Sequence, residues 1–190
     1  MANVGLIAHV RFQWPNGRYT SNQRVDATVA YSCTNPTPYT TSTSNNTFTL
    51  PDPAVPTRIE PVICLPGTEI GIEVENRASL NQGTFSVIIE FRGRLRRFLR
   101  HEAKTKLQTG QSGQNLGGLQ ASDFLSDKEC GYATPDQPYV ELPQSIVYTS
   151  PALETGAIIT NARQPVGGLG IFIICGVLVL PPPVAGAGIQ

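Results

Sequence analysis

Hydrophobic residues occupy alternate positions in the opening stretch of the chain: Val4, Leu6, Ala8, Val10, Phe12 and Trp14 are interleaved with Gly5, Ile7, His9, Arg11 and Gln13. Successive side chains of a strand point to opposite faces, so this period of two predicts a strand with one face on a core. Pro15-Asn16-Gly17-Arg18 then supplies a turn, because Asn-Gly tolerates the positive φ angles of a tight hairpin. Alternation resumes at Val25, Ala27, Val29, Tyr31 and Cys33, which predicts the second arm of a β-hairpin. From Thr34 to Asn46 the residues are mainly Thr, Ser, Asn and Pro with no apolar period, as in an extended surface loop.

Phe48 and Leu50 begin a short strand that Pro51, Pro53 and Pro56 stop. Ile59 to Leu65 is strand-like, Pro66-Gly67 marks a turn, and Ile70, Ile72 and Val74 then alternate with Glu69, Glu73 and Glu75, leaving one face to solvent or a partner. Gly71 inside that strand predicts a bulge or a close backbone approach. After a turn at Asn81-Gln82-Gly83, Phe85, Val87, Ile89 and Phe91 give the clearest strand since the first. Residues 100–118 lose the alternation and end in a Gly-rich run, which predicts a long polar loop or arm. Ser122 to Glu129 fits one short helix with Ser122 as N-cap and Asp123 near its positive end. Strand patterns return at Tyr139 to Leu142, Ser145 to Tyr148, Ala157 to Asn161 and Leu169 to Leu180. The last is a 12-residue apolar run with two glycines, short of the roughly 20 residues of a membrane helix. It predicts a strand buried on both faces and no transmembrane span. About eight or nine strands with long loops and at most one short helix define an all-β protein. The expected architecture is an antiparallel β-sandwich, as a jelly roll, forming one domain over residues 1–190. Residues 181–190 read as an extended C-terminal tail with little means of ordering itself, which a neighbouring molecule is expected to hold.

Composition narrows the functional classes. Lys plus Arg equals Asp plus Glu at 14 each, so no global field draws the chain to nucleic acid or an anionic membrane, and any such contact is local. Only 15% of residues are charged, while glycines number 18 and prolines 16, as in a loop-rich, strand-and-turn protein. No basic-then-apolar leader is visible at Met1, so synthesis in the cytoplasm is expected. Cys33, Cys64, Cys130 and Cys175 are far apart with no C-x-x-C, and a reducing compartment disfavours bridges, so unpaired thiols are expected. In that compartment the sequon Asn45-Asn46-Thr47 is accidental.

Catalytic constellations are not indicated. His9 and His101 are the two histidines, and neither has a nucleophile or carboxylate at motif spacing. No G-x-S-x-G, H-E-x-x-H or EF-hand loop occurs, and the run from Gly110 to Gly118 lacks the Lys-Ser/Thr of a phosphate cradle. Glu60, Glu69, Glu73 and Glu75 are placed to line one sheet face, where carboxylates serve glycosidic chemistry or bind calcium, but a solvated face is the simpler expectation. We therefore expect no enzyme activity, no cofactor and no metal.

The distinctive feature is basic. Six of the 14 basic residues fall between Arg92 and Lys104, against one acid, Glu102. On a strand Arg92, Arg94 and Arg96 share a face, opposite Gly93, Leu95 and Arg97. Arginine forks suit carboxylates and phosphates, and three explanations compete. They are an intersubunit ion-pair seam with the Glu-rich strand of a neighbour, a contact with packaged genome or anionic lipid through Arg92 to Lys104, and an ordinary solvated stripe. The first is the leading one, with Arg92, Arg94, Arg96, Arg97 and Arg100 at a subunit contact.

The stretches Thr68-Glu69-Ile70-Gly71-Ile72-Glu73-Val74-Glu75-Asn76 and Gly83-Thr84-Phe85-Ser86-Val87-Ile88-Ile89-Glu90-Phe91-Arg92-Gly93, with their short strands, polar loops and few charges, resemble the jelly-roll coat proteins of icosahedral viruses. These include the single-jelly-roll coats of membrane-containing bacterial and archaeal viruses. The resemblance implies eight antiparallel strands in two sheets, assembly with copies of itself and other virion proteins, no cofactor, and residence in the virion. The chain departs from the pattern in having no long basic N-terminal arm. A capsid decoration or cement protein would share every one of these features. So would a spike or tail module binding a receptor or glycan, for which Trp14, Tyr19, Tyr31 and Tyr39 are the candidate aromatic platform.

Overall fold

The computed structural model describes residues 8–31, 56–77, 84, 86–104, 119–168 and 170–180. Outside them lie the start of the first predicted strand, the loop from Thr34 to Asn46, the strand at Phe48, the turn at Asn81, Phe85, Cys33, Tyr39, most of the arm and the C-terminal tail.

Among the described residues, eight strands form two antiparallel four-stranded sheets, so the expected all-β sandwich is found. In chain order they are β1 (Ala8–Gln13), β2 (Val25–Asp26), β3 (Thr57–Cys64), β4 (Glu69–Asn76), β5 (Ile88–Phe98), β6 (Tyr139–Thr149), β7 (Ile158–Pro165) and β8 (Ile171–Leu180). Sheet A has the order β2-β1-β4-β7 and sheet B the order β3-β8-β5-β6. From β2 onward the chain alternates between the sheets, except for the β5 to β6 step. The core lies where the inward sets meet: Val10, Phe12, Ile70, Ile72 and Val74 from sheet A against Ile89, Phe91, Phe172, Ile174, Val177 and Val179 from sheet B, all buried. Phe12 meets Phe91 edge-on across the layers, with centroids 5.3 Å apart.

Three sequence expectations need correction. The second hairpin arm stops at Asp26, and Ala27–Ala30 makes one helical turn, α1. Ala27 and Tyr31 are both buried, and the Tyr31 N–H donates to the Ala27 carbonyl at 3.0 Å. Four residues separate them, a spacing that satisfies a strand face and a helix face alike. Ser122 to Glu129 is not one helix. Residues Ala121–Asp123 form a 3-10 turn, and α2 spans Asp127–Cys130, started by Ser126 and Glu129 in a reciprocal capping box. The two strands expected around Pro143 are one, β6. β6 is an edge strand, where a proline lacking an N–H costs no ladder bond if that position faces outward.

The last apolar stretch is β8, paired on both sides by β3 and β5, with Val177, Leu178 and Val179 all buried. Among the described residues no helix is long and apolar enough to cross a membrane. Cys64, Cys130 and Cys175 are free thiols, the first two buried.

Candidate assembly interface

Charged side chains concentrate on the two outward faces of the sandwich. On sheet A, the register aligns Arg11 with Glu73 and His9 with both Asp26 and Glu75. Arg11 donates to Glu73 at 2.6 Å, Arg24 reaches Glu73 at 3.1 Å and Glu75 at 2.8 Å, and Arg77 closes on Glu75 at 2.9 Å. The Arg11 guanidinium also lies 4.2 Å over the Tyr19 ring. Burial alone would raise the Glu73 carboxyl, but hydrogen bonds and charge from Arg11 and Arg24 outweigh it and hold it below the usual range. Glu75 is lowered in the same way, against its burial, by Arg77 and Arg24. Glu73 and Glu75 therefore do not offer an open acidic face, because arginines of their own chain cover them, whereas Glu69 at the start of the strand is exposed. His9 Nδ1 and Arg11 Nε are buried there without a hydrogen-bond partner among the described residues. Glu60 lies on β3 in the other sheet, so the four carboxylates do not converge. Among the described residues no three His, Cys, Asp or Glu side chains are placed to hold a metal.

Sheet B carries the arginines. Arg92, Arg94 and Arg96 point outward from the inner strand β5, opposite Ser145, Pro143 and Glu141 of β6. Arg96 grips Glu141 at 2.6 Å and stacks 4.2 Å over Tyr139, Arg94 touches Glu141 at 3.2 Å, and Arg92 holds Glu90 at 2.9 Å. Hydrogen bonds from Arg96 and Arg94 lower the Glu141 carboxyl, against a small effect of burial. On the other side of β5, Arg94 aligns with Ile173 and, one strand further, with Ile63. The Arg94 side chain is 68% exposed and Ile63 is 64% exposed. One cross-sheet row thus reads Ile63, Ile173, Arg94, Pro143: aliphatic flank, arginine column, edge strand. Val147 on β6 is a further exposed aliphatic residue of this sheet.

The five arginines divide into two groups. Arg97 lies 3.8 Å over the Phe124 ring, and Arg100 leaves the strand to pair with Glu129 at 3.0 Å, so both face the α2 corner. Hydrogen bonds from Ser126, helped by Arg100, push the Glu129 carboxyl down to about 2. Sequence reasoning missed the in-chain partners. Glu90 was legible as the same-face neighbour two residues before Arg92. Glu141 was not, since the long connection between β5 and β6 conceals the register. Of the aromatic candidates, Trp14 is half-buried, Tyr19 exposed and Tyr31 buried against Phe12, so they form no common platform. His101 lies in a 3-10 turn after β5, in the other sheet's connection from His9.

The chain matches no protein-family model, no curated protein and no solved structure.

Proposed function

We propose that this chain is a structural protein of a virus particle, a shell subunit that works in many copies through sheet B. The observation that carries the proposal is strand order. In a jelly roll the first strand lies beside the last, the last beside the third and the third beside the sixth. In its other sheet the second lies beside the seventh, the seventh beside the fourth and the fourth beside the fifth. If β2 is counted as the first strand and β1 as the last, β2-β1-β4-β7 and β3-β8-β5-β6 follow this order in both sheets. β1 is antiparallel to both its neighbours, as the last strand of a jelly roll is. Jelly rolls serve coats, lectins and other roles, and the outward face of sheet B favours the first. Exposed aliphatics beside arginines have the composition of a protein interface. Arg92, Arg94 and Arg96 line that face, while Arg97 and Arg100 at the α2 corner flank it. Virion residence and synthesis in the host cytoplasm belong to the same proposal.

The test is size-exclusion chromatography and negative-stain electron microscopy of the purified chain over a concentration series. Capsomers or closed shells are the expected result. A monodisperse monomer at high concentration, absent by mass spectrometry from purified particles, overturns the proposal, whereas a monomer found on particles built by another protein identifies a decoration protein.

A further inference from the structure

The row Gln13, Gly71, Arg163 crosses sheet A at one end of the sandwich, each residue opposite the next. Gly71 has no side chain, and a Cβ there would collide with Arg163 Nη1 and crowd the Gln13 Cβ. Its absence lets the Arg163 side chain lie across β4 and donate to Gln13 Oε1 at 3.0 Å. The close approach at Gly71 is therefore made by a side chain of the adjacent strand β7, not by a backbone. Beyond this bridge the turns at Gly17 and Gly67 stand apart and leave a cleft of about 400 Å³. Its lining includes Trp14, Thr68 and Glu69 besides Gln13 and Arg163. The volume falls in the range of small-molecule sites, about 300–1,000 Å³, in a recess that is shallow and open to solvent on its outer side.

The chemistry of the lining is specific. Trp14 is the only tryptophan of the chain. Its ring is braced by Phe12 and Phe91, 6.0 and 6.2 Å away, so its remaining surface is held rigidly at the cleft. The Glu69 carboxylate is exposed and makes no hydrogen bond or ion pair with any described residue. Arg163 has one nitrogen engaged by Gln13, and among the described residues its other N–H groups have no acceptor. The Thr68 hydroxyl donates to the Leu65 carbonyl at 2.7 Å, which leaves its oxygen able to accept. One carboxylate and one guanidinium cancel in charge, next to an aromatic surface whose negative π face attracts weakly positive C–H groups.

We propose that this cleft binds a neutral pyranose of a glycan, with the apolar face of the sugar against Trp14 and adjacent hydroxyls between Glu69 and Arg163. Glu69 accepts hydroxyl hydrogens, Arg163 donates to hydroxyl oxygens, and Gly71 is a positioning residue that keeps Arg163 in place through Gln13. The site is independent of sheet B and of the shell proposal.

Trp14 reports on its own site. Purified full-length chain is titrated to high millimolar concentration with methyl glucoside, methyl galactoside, N-acetylglucosamine and N-acetylneuraminic acid, following tryptophan fluorescence and saturation-transfer NMR. At least one neutral pyranose is expected to give a saturable change. Glu69→Gln and Gly71→Ala are each expected to weaken it about tenfold or more with an unchanged circular dichroism spectrum. Arg163→Gln, at an exposed position, is the second check should Gly71→Ala disturb folding. Silence by both methods with every neutral sugar overturns the proposal. Binding untouched in Glu69→Gln and Arg163→Gln overturns the location, and preference for the anionic sugar overturns the ligand class.

Discussion

Glu73 and Arg94 occupy equivalent places in the two sheets, each on an inner strand and on its outward face, yet the Glu73 side chain is 10% exposed and that of Arg94 68%. Both belong to Arg–Glu clusters with contacts of similar length. What differs is which partner is central. On sheet A the short carboxylate sits in the middle, and the long side chains of Arg11 and Arg24 close over it from flanking positions, burying their stems. On sheet B the long arginine sits in the middle, its carboxylate partner Glu141 is on the edge strand, and the guanidinium ends in solvent. The first arrangement spends its charges inside the fold, while the second presents them beside exposed Ile63 and half-buried Ile173.

The largest effect that would break this comparison is on stability. Glu73→Ala leaves the Arg11 guanidinium over the sheet without its carboxylate and Arg24 with Glu75 alone, and should cost about 2–3 kcal/mol in urea denaturation. Glu141→Ala, in a more exposed cluster, should cost no more than about 1 kcal/mol. Equal losses would show that the two faces do not differ in kind. Acid should separate them next. Arg11 and Arg24 at Glu73, and Arg77 and Arg24 at Glu75, hold these carboxyls below their unfolded value of about 4.3. Their contribution is therefore complete above that value and is lost as the pH falls through the depressed folded values. A urea-midpoint series from pH 7 down to pH 3 should fall steeply at its acid end, and Glu73→Gln should flatten that fall; an unchanged slope would remove Glu73 from the account. The mildest probe changes no residue. Burial pushes the Cys64 thiol up to about 11, whereas Cys175 is only half-buried. Native alkylation should mark Cys175 before Cys64, and Cys64 only on unfolding; mass spectrometry showing early Cys64 labelling would mean that sheet B opens at β3.

Much of this was legible in the sequence where neighbours along the chain decide the outcome. The alternation at Ala8, Val10 and Phe12, at Ile70, Ile72 and Val74, and at Ile89 and Phe91 reports which face is core, and those residues are buried. Legibility ended where two periods coincide, as at Ala27 and Tyr31, and where position in a sheet overrides propensity, as at Pro143 on an edge. It failed most for the arginine stripe. The partner expected from the sequence is a neighbour's Glu-rich strand; within the chain Glu90 and Glu141 pair with these arginines, and Arg11, Arg24 and Arg77 hold Glu73 and Glu75 while Glu69 is exposed. The pairings of Arg94 and Arg96 with Glu141, and of Arg11 and Arg24 with Glu73, join residues dozens of positions apart through register, which no local pattern encodes. Of Arg92, Arg94 and Arg96, Arg94 nevertheless has the most exposed side chain, which makes it the first position at which to test the expected contact.

Replacement of Arg94 and Arg96 by Ala, alone and together, tests the subunit contact most directly. Because both lie on a solvent-facing column, each change should leave folding within about 1 kcal/mol by urea denaturation. Particle formation, measured on the same preparations by light scattering and electron microscopy, should fall sharply in the double variant. Arginines desolvated between subunits leave their partners unpaired when removed, at about 2–5 kcal/mol for each contact, and every copy in a shell repeats that loss. Normal folding with lost assembly is the predicted result. Normal folding with normal particles would contradict the assignment of sheet B as the contact.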